Sequence, residues 1–145
     1  MMPINTNYCN LCRQILDLDP SIRFAAVATS DGKILATQNR EGIKPLLSLQ
    51  ESALAIMQSL MRMSILRVFE QKLGKTIYSI TACEKIKRDT ILLFNEKEEE
   101  GGDDKYSDSY LMVSFEKEAN VESIINEKIL PLLLRSKIKS NSRKP

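Results

Sequence analysis

The sequence predicts an α+β domain in which helices cover both faces of one five-stranded antiparallel sheet. Two short apolar runs flank Ser30-Asp31-Gly32, and Asp-Gly between alternating apolar segments is a strong hairpin signal. Helical apolar spacing occurs before this hairpin, after it and near the end of the chain. Three segments rich in β-branched and aromatic residues precede the last helix. The predicted element order is therefore α-β-β-α-β-β-β-α.

The helix boundaries are predicted from local stop and cap signals. The first helix covers about Asn7–Leu18, and the second runs from about Pro45 to Leu73. Pro45 suits a first helical turn, and Gly74 suits a left-handed cap. Asn120 is expected to cap the final helix, which Pro131 should kink or break.

The first hairpin is built from unusually small residues, among them Ala25, Ala26, Ala28 and Ala36. In a sheet covered on both faces, small side chains let helices approach closely from either side. We therefore interpret these alanines as the centre of a three-layer sandwich.

The remaining strands are predicted from composition as "KTIYSITACEK", "TILLF" and "SYLMVSF". A turn is expected at Ile86 to Asp89, and Cys83 is expected within a strand with a structural role. Between the last two strands lies the acidic segment 95–108, which lacks apolar periodicity and predicts a mobile loop.

The second helix carries more apolar surface than one core requires. At about 100° per residue its apolar residues span an arc of about 200°, roughly twice the usual stripe. Polar residues such as Ser52 and Ser59 are assigned to a solvated face. The centre of the arc is expected on the chain's own sheet, and it comprises Leu46, Ala53, Met57 and Leu60. A partner should meet one of two flanks, either Ile56 and Met63 or Leu47, Leu54 and Ile65.

Composition argues against several functional classes. The net charge is +2 and aromatic residues are 6% of the chain, so no basic, base-stacking surface for nucleic acid is expected. The absence of histidine removes the commonest general base and metal ligand. We expect no catalytic residues, no metal, no cofactor and no enzymatic activity.

Two short motifs have structural explanations. Gly74-Lys75-Thr76 resembles the end of a P-loop, but Phe69 replaces the earlier glycine and the triplet follows a helix. Cys9 and Cys12 have C-x-x-C spacing, although the chain offers no second such pair for zinc. We assign both cysteines to helix packing, with metal or redox chemistry as the alternative.

The element order and the hairpin "RFAAVATSDGKILAT" resemble the Roadblock/dynein light chain domain family over about residues 7–134. The chain also looks similar to small standalone archaeal proteins of this fold. We therefore expect one domain, 1–134, and a basic flexible tail, 135–145. With no signal peptide, no long uninterrupted apolar run and three cysteines, we expect a cytoplasmic protein without a membrane span.

The resemblance implies a homodimer whose second helices pack together and whose third strands pair edge to edge. It further implies a scaffold or regulatory role, often with small Ras-like GTPases. The strand "TIYSITAC" carries no proline or lysine to protect an open edge. The expected interface residues are Leu47, Leu49, Leu54, Ile56, Leu60, Met63, Ile65, Ile77, Tyr78, Ser79, Ile80 and Thr81. The alternative is a profilin-like or PAS-like sensor that binds a small ligand between sheet and helix, which would need a cavity with convergent polar groups.

Overall fold

A computed structural model describes residues 6–93 and 108–142 of the chain. It confirms the predicted fold class and element order. The strands are β1 (Ile22–Thr29), β2 (Ile34–Asn39), β3 (Tyr78–Ala82), β4 (Ile86–Leu92) and β5 (Ser109–Glu116). Helix α1 covers Thr6–Leu18, and helix α2 covers Leu49–Leu66. The chain continues after α2 through a 3-10 turn at Arg67–Phe69 and an α-helical turn at Glu70–Leu73. The C-terminal helix consists of Val121–Ile124, a π turn at Ile125–Ile129 and Leu130–Ser142.

All neighbouring strands are antiparallel, in the spatial order β2-β1-β5-β4-β3. The two edges of the sheet are therefore β2 and β3. The β1–β2 hairpin has the turn that the sequence predicts. Gly32 adopts a φ of 99° there, and the backbone N–H of Thr29 donates to the carbonyl of Lys33 at 2.8 Å.

The sheet separates two apolar cores. Helix α1 and the C-terminal helix pack on one face with Ala25 and Val27. Helix α2 packs on the other face with Ala26 and Ala28. All four of these β1 residues are fully buried, which supports the interpretation of β1 as the centre of a sandwich.

Helix α2 begins later than predicted, and Pro45 lies before it. Ser48 is the N-cap and forms a capping box with Glu51. The N–H of Glu51 donates to Ser48 Oγ at 3.1 Å, and the N–H of Ser48 donates to Glu51 Oε1 at 2.9 Å. Ser-x-x-Glu before an apolar run is a sequence-level signature of this arrangement. Gly74 ends the helical segment with φ 85° and ψ 174°, so it has positive φ without the left-handed helical conformation.

The predicted turn at Ile86 to Asp89 is wrong, because β4 begins at Ile86. The turn lies earlier, where the N–H of Cys83 donates to the carbonyl of Ile86 at 2.8 Å. Cys83 is consequently exposed rather than part of a strand. Strand β4 nevertheless contains three consecutive charged residues, Lys87, Arg88 and Asp89, and one of them has a backbone partner. Lys87 Nζ donates to the carbonyl of Ala119 at 3.0 Å.

The C-terminal helix begins as predicted, with Asn120 Oδ1 accepting the N–H of Ser123 at 3.2 Å. It passes through Pro131 without ending, and it continues through residues 135–142 of the expected tail. Proline cannot bond the carbonyl four residues earlier. That carbonyl belongs to Glu127, within the π turn, where the regular α-helical bonding is already altered. Of the predicted acidic loop, 95–108, all but the last residue lies outside the described residues.

The alanine interpretation predicts that Ala26 cannot be enlarged without cost. Ala26→Leu should lower the free energy of unfolding by about 1–3 kcal/mol, because it overpacks the contact between β1 and α2. Urea unfolding measures the change. The matched control is Thr37→Leu, since Thr37 lies opposite Ala26 on β2 and is exposed. Equal stability of the two variants would contradict close packing at Ala26.

Candidate functional site

Helix α2 packs on its own sheet through a narrow set of residues. Ile56, Leu60 and Met63 are at most 5% exposed and contact a cluster that includes Tyr110 and Met112 of β5. All three were expected at a dimer interface, but they belong to the core of their own subunit. The expected centre of the apolar arc is also wrong, apart from Leu60, because its other members are exposed, namely Leu46, Ala53 and Met57.

The side of α2 that points away from the sheet is apolar. Leu54, Met61 and Ile65 are 69%, 62% and 64% exposed, and helical geometry places them opposite Ile56 and Met63. We call this surface the outer apolar face, and it comprises Leu54, Met57, Met61, Ile65 and Val68. Exposed apolar patches of this kind mark interaction sites. Of the two predicted flanks, the one with Leu54 and Ile65 is thus the uncovered flank, whereas its third member, Leu47, precedes the helix.

The outer apolar face leans toward the β2 side of the sheet. Met57 lies over the β1–β2 turn, because its sulfur is 3.3 Å from the position that a Cβ on Gly32 would occupy. The opposite flank of α2, with Ser52, Ala55 and Ser59, lies over β4 and β5. Ser59 is therefore not on a solvated face, and its hydroxyl donates to the carbonyl of Ala55 at 3.1 Å.

The backbone of edge strand β3 is the second element that none of the described residues covers. The N–H of Leu92 donates to the carbonyl of Ile77, and the N–H of Cys83 donates to the carbonyl of Ile86. Bonded and non-bonded pairs alternate in an antiparallel ladder, so residues 77, 79, 81 and 83 bond to β4. The backbone N–H and C=O groups of Tyr78, Ile80 and Ala82 consequently point away from the sheet, along the open edge.

The side chains of β3 divide between the two faces. Tyr78 packs against the core under the C-terminal helix, and its hydroxyl donates to Glu122 Oε2 at 3.1 Å. Because alternate residues share a face, Ile80 lies on this side, whereas Ser79 and Thr81 lie on the α2 side. The expected interface residues Ile77 and Ile80 are both exposed.

By length and composition alone, the stretch Leu49–Leu73 is long and apolar enough to cross a membrane. The sequence analysis did not identify it, because charged and polar residues interrupt its apolar runs. Such a stretch is weak evidence for a span, and only 17% of its apolar window is buried. Glu51, Arg62 and Arg67 also lie within it. Its one-sided contact with the sheet and its opposite apolar side are typical of an amphipathic helix with two protein contacts.

A polar row crosses the α2 side of the sheet at one end. The strand registers bring four polar residues into line across the sheet, with Phe24 of β1 between the first and the second: Asn39, Ser114, Arg88 and Thr81. A cavity of about 90 Å³ lies between this row and the flank of α2 that contains Ser52, Ala55 and Ser59. This polar surface was not predicted, because it arises only when distant strands come into register.

Asp89 is a buried carboxyl group on the opposite face of β4, where it pairs with Val113 of the main core. It is 2% exposed, and neither carboxyl oxygen has a hydrogen-bond partner of good geometry within the described residues. Burial raises the pKa of Asp89 well above its ordinary value, and the backbone of Val113 offsets this only in part. No sequence pattern indicated this group, since the segment was expected to be a turn.

The cysteine pair lies on α1, as expected. Cys12 is fully buried in the main core, and Cys9 packs at its border. Burial, with a smaller contribution from Cys9, raises the pKa of the Cys12 thiol to about 11, which keeps it protonated and unreactive. Within residues 6–93 and 108–142, no cluster of three or more His, Cys, Asp or Glu side chains is arranged to hold a metal ion.

The five-stranded antiparallel sheet between two helical layers is the fold of Roadblock/LC7 domains, and comparison with solved structures supports this. The chain is similar to the Roadblock/LC7 domain from Streptomyces avermitilis at a TM-score of 0.63 and 12% identity, covering 92% of this chain and 97% of that one. No protein-family model and no curated protein sequence matches the chain.

Two further solved structures have the same fold. The gliding protein MglB from Thermus thermophilus is similar at a TM-score of 0.63 and 10% identity, covering 86% of this chain and 82% of that one. An MglB with tetrameric arrangement is similar at a TM-score of 0.61 and 10% identity, with coverages of 86% and 81%. The resemblance seen in the sequence is therefore confirmed at the level of the fold.

The environment of Asp89 predicts an unusual pH dependence. The folded state keeps the Asp89 proton to a higher pH than the unfolded state, so stability should fall as the pH rises above about 4. Asp89→Asn cannot ionise and should remove this loss, which makes it more stable than the wild type near pH 7 by more than about 1 kcal/mol. Urea unfolding across this range measures the effect. The control is Asp17→Asn, since Asp17 lies on the exposed side of α1. If the stability of Asp89→Asn declined as steeply with rising pH as that of the wild type, the prediction would be contradicted.

Proposed function

We propose that this protein is a non-catalytic interaction module that works as a homodimer and binds another protein. The observation that carries the proposal is the pair of uncovered surfaces, namely the open edge of β3 and the outer apolar face of α2. A lone chain would leave both in water, where each is an aggregation risk. We propose no catalytic role, because the chain has no histidine, the commonest general base.

We assign the homodimer to the β3 edge. Antiparallel pairing of two β3 strands about a two-fold axis would join two sheets into one of ten strands. Tyr78, Ile80 and Ala82 would supply the free backbone donors and acceptors. Such pairing keeps equivalent faces on the same side, so both copies of α2 would cover one face of the joined sheet.

This pairing would leave the two α2 helices apart. The buried residues of α2 pack on β1 and β5, with Leu92 of β4 at the border of the same cluster, and β5 lies two strands from β3. Five strand spacings would separate the two β5 strands, which amounts to about 24 Å. Packed helices lie about 8–10 Å apart. We therefore assign the outer apolar face to a partner protein, and direct packing of α2 on α2 is the rival arrangement.

The partner class comes from the fold. The resemblance to Roadblock domains implies small Ras-like GTPases as binding partners. We propose that such a GTPase binds the outer apolar face. One structural neighbour is an MglB with tetrameric arrangement, so self-association is compatible with this fold. The expected location is the cytoplasm. A ligand sensor remains the alternative, which the cavity beneath α2 favours.

The dimer is tested at Ile80. Ile80→Pro removes a backbone donor that points along the open edge, whereas the bonds to β4 come from Ser79 and Thr81, so the subunit should stay folded. Light scattering at micromolar concentration should show a dimer for the wild type and a species of 16.5 kDa for the variant. Ile80→Thr keeps the backbone donor and should remain dimeric. A monomeric wild type, or a dimeric Ile80→Pro variant, would rule out the edge-paired dimer.

The outer apolar face is tested by Leu54→Lys combined with Ile65→Lys. Burial of each side chain contributes about 1.5–3 kcal/mol, so binding to a small GTPase from the same genome should weaken by about two orders of magnitude or more. Interferometry measures binding, and light scattering should show an unchanged dimer. The control is Asn10→Lys combined with Gln14→Lys, on the exposed side of α1. It adds the same charge and should bind the GTPase as the wild type does. Dissociation of the Leu54 and Ile65 variant to a monomer would instead favour packing of α2 on α2.

A further inference from the structure

The cavity beneath α2 has features of a binding site that neither uncovered surface explains. Elsewhere the α2 side of the sheet is lined by Ala26, Ala28 and Tyr110, which pack against the helix. Across the polar row the helix is held off, and about 90 Å³ of space remains. We propose that this cavity binds a small carboxylate with a short apolar body.

The first support is an arginine without an acceptor. Arg88 lines the cavity and is half-buried, yet within the described part of the chain it has no hydrogen bond or ion pair. Guanidinium groups in such surroundings are usually paired, and their planar fork matches a carboxylate in a bidentate arrangement. Ser114 lies directly opposite Arg88 on β5, with Cβ atoms of such pairs about 4.5–5.5 Å apart. Its hydroxyl is placed to donate a further hydrogen bond to the same oxyanion.

The second support is the charge of the lining. Arg23 also borders the cavity and is held by Glu116 Oε2 at 2.9 Å and by the carbonyl of Lys44 at 3.2 Å. Among the described residues that line the cavity, the only carboxyl group belongs to Asp89, and the strand register directs its side chain to the opposite face. No described residue of the lining therefore compensates the charge of Arg88, which favours an anion.

Size and polarity define the ligand further. The cavity volume of about 90 Å³ leaves room for a carboxylate and a short carbon chain. Phe24, Ile56 and Met112 form much of the wall. An inorganic anion would leave these apolar groups facing its hydration shell, whereas a short aliphatic chain would bury them.

The experiment is calorimetric titration of the full chain with butyrate, and with inorganic phosphate at matched ionic strength. Butyrate should bind saturably and more tightly than phosphate. Arg88→Gln should weaken butyrate binding by about tenfold or more, because it removes a charge-assisted hydrogen-bond pair. Arg62→Gln, on the exposed side of α2, should bind as the wild type does.

A second variant controls for misfolding of the first. Ala55→Leu should fill the cavity from the helix side and abolish binding, with cooperative unfolding retained. The inference does not depend on the dimer, so light scattering on the same samples separates the two. Absence of saturable binding, equal binding by Arg88→Gln, or tighter binding of phosphate would each overturn the proposal. A change of mass in Arg88→Gln would also overturn it, because Arg88 would then serve a subunit contact.

Discussion

Strand β1 has to fit between two helical layers while hydrogen-bonded to a strand on each side, and the rest of the molecule depends on this constraint. Ala25 and Val27 meet the layer formed by α1 and the C-terminal helix, and Ala26 and Ala28 meet α2. On the α1 face, small side chains let that helix lie close to the backbone of β1. The larger neighbours on β5, such as Leu111 and Tyr110, then fill the space beside them. The hairpin therefore determines how near each helix can lie and which strand it can cover.

The position of α2 shows how this constraint generates the surface features. The helix is anchored over β1 and β5 by Ile56, Leu60 and Met63, and its start is fixed by the capping box of Ser48. Anchoring on that side leaves β4 and β3 only partly covered on the same face. The cavity, the polar row and the outward-facing apolar residues are all consequences of placing one amphipathic helix off the centre of a five-stranded sheet.

Local signals in the sequence were enough for most of the fold. Asp31-Gly32 marks the hairpin, Asn120 marks the last helix, and β-branched segments mark the strands. The errors occur where a local pattern has two solutions. The charged run at Lys87 and Arg88 is typical of a turn, but the lysine reaches the carbonyl of Ala119 and the arginine lies under α2. Ser48 and Glu51 offered a better helix start than Pro45, because reciprocal hydrogen bonds outweigh a favourable φ.

The candidate site was less accessible from the sequence. Angular arithmetic identified an excess of apolar surface on α2, but it could not say which part of an arc of about 200° faces inward, since that depends on the shape of the sheet below. The polar row draws its members from four strands, and they become neighbours only through register. Asp89 was missed for the same reason, because its burial follows from a strand that the sequence did not reveal.

The alternation of backbone bonding along β3 has a further consequence for recognition. Main-chain donors and acceptors are the same in every residue except proline. Two chains that differ widely in their side chains therefore still present the same pattern of hydrogen-bonding groups along this edge. Selection of one pairing partner over another then depends on the few side chains that flank the edge, such as Ile80 on one face and Thr81 on the other. Gene duplicates of such a domain would need to change little more than these neighbours to exchange partners.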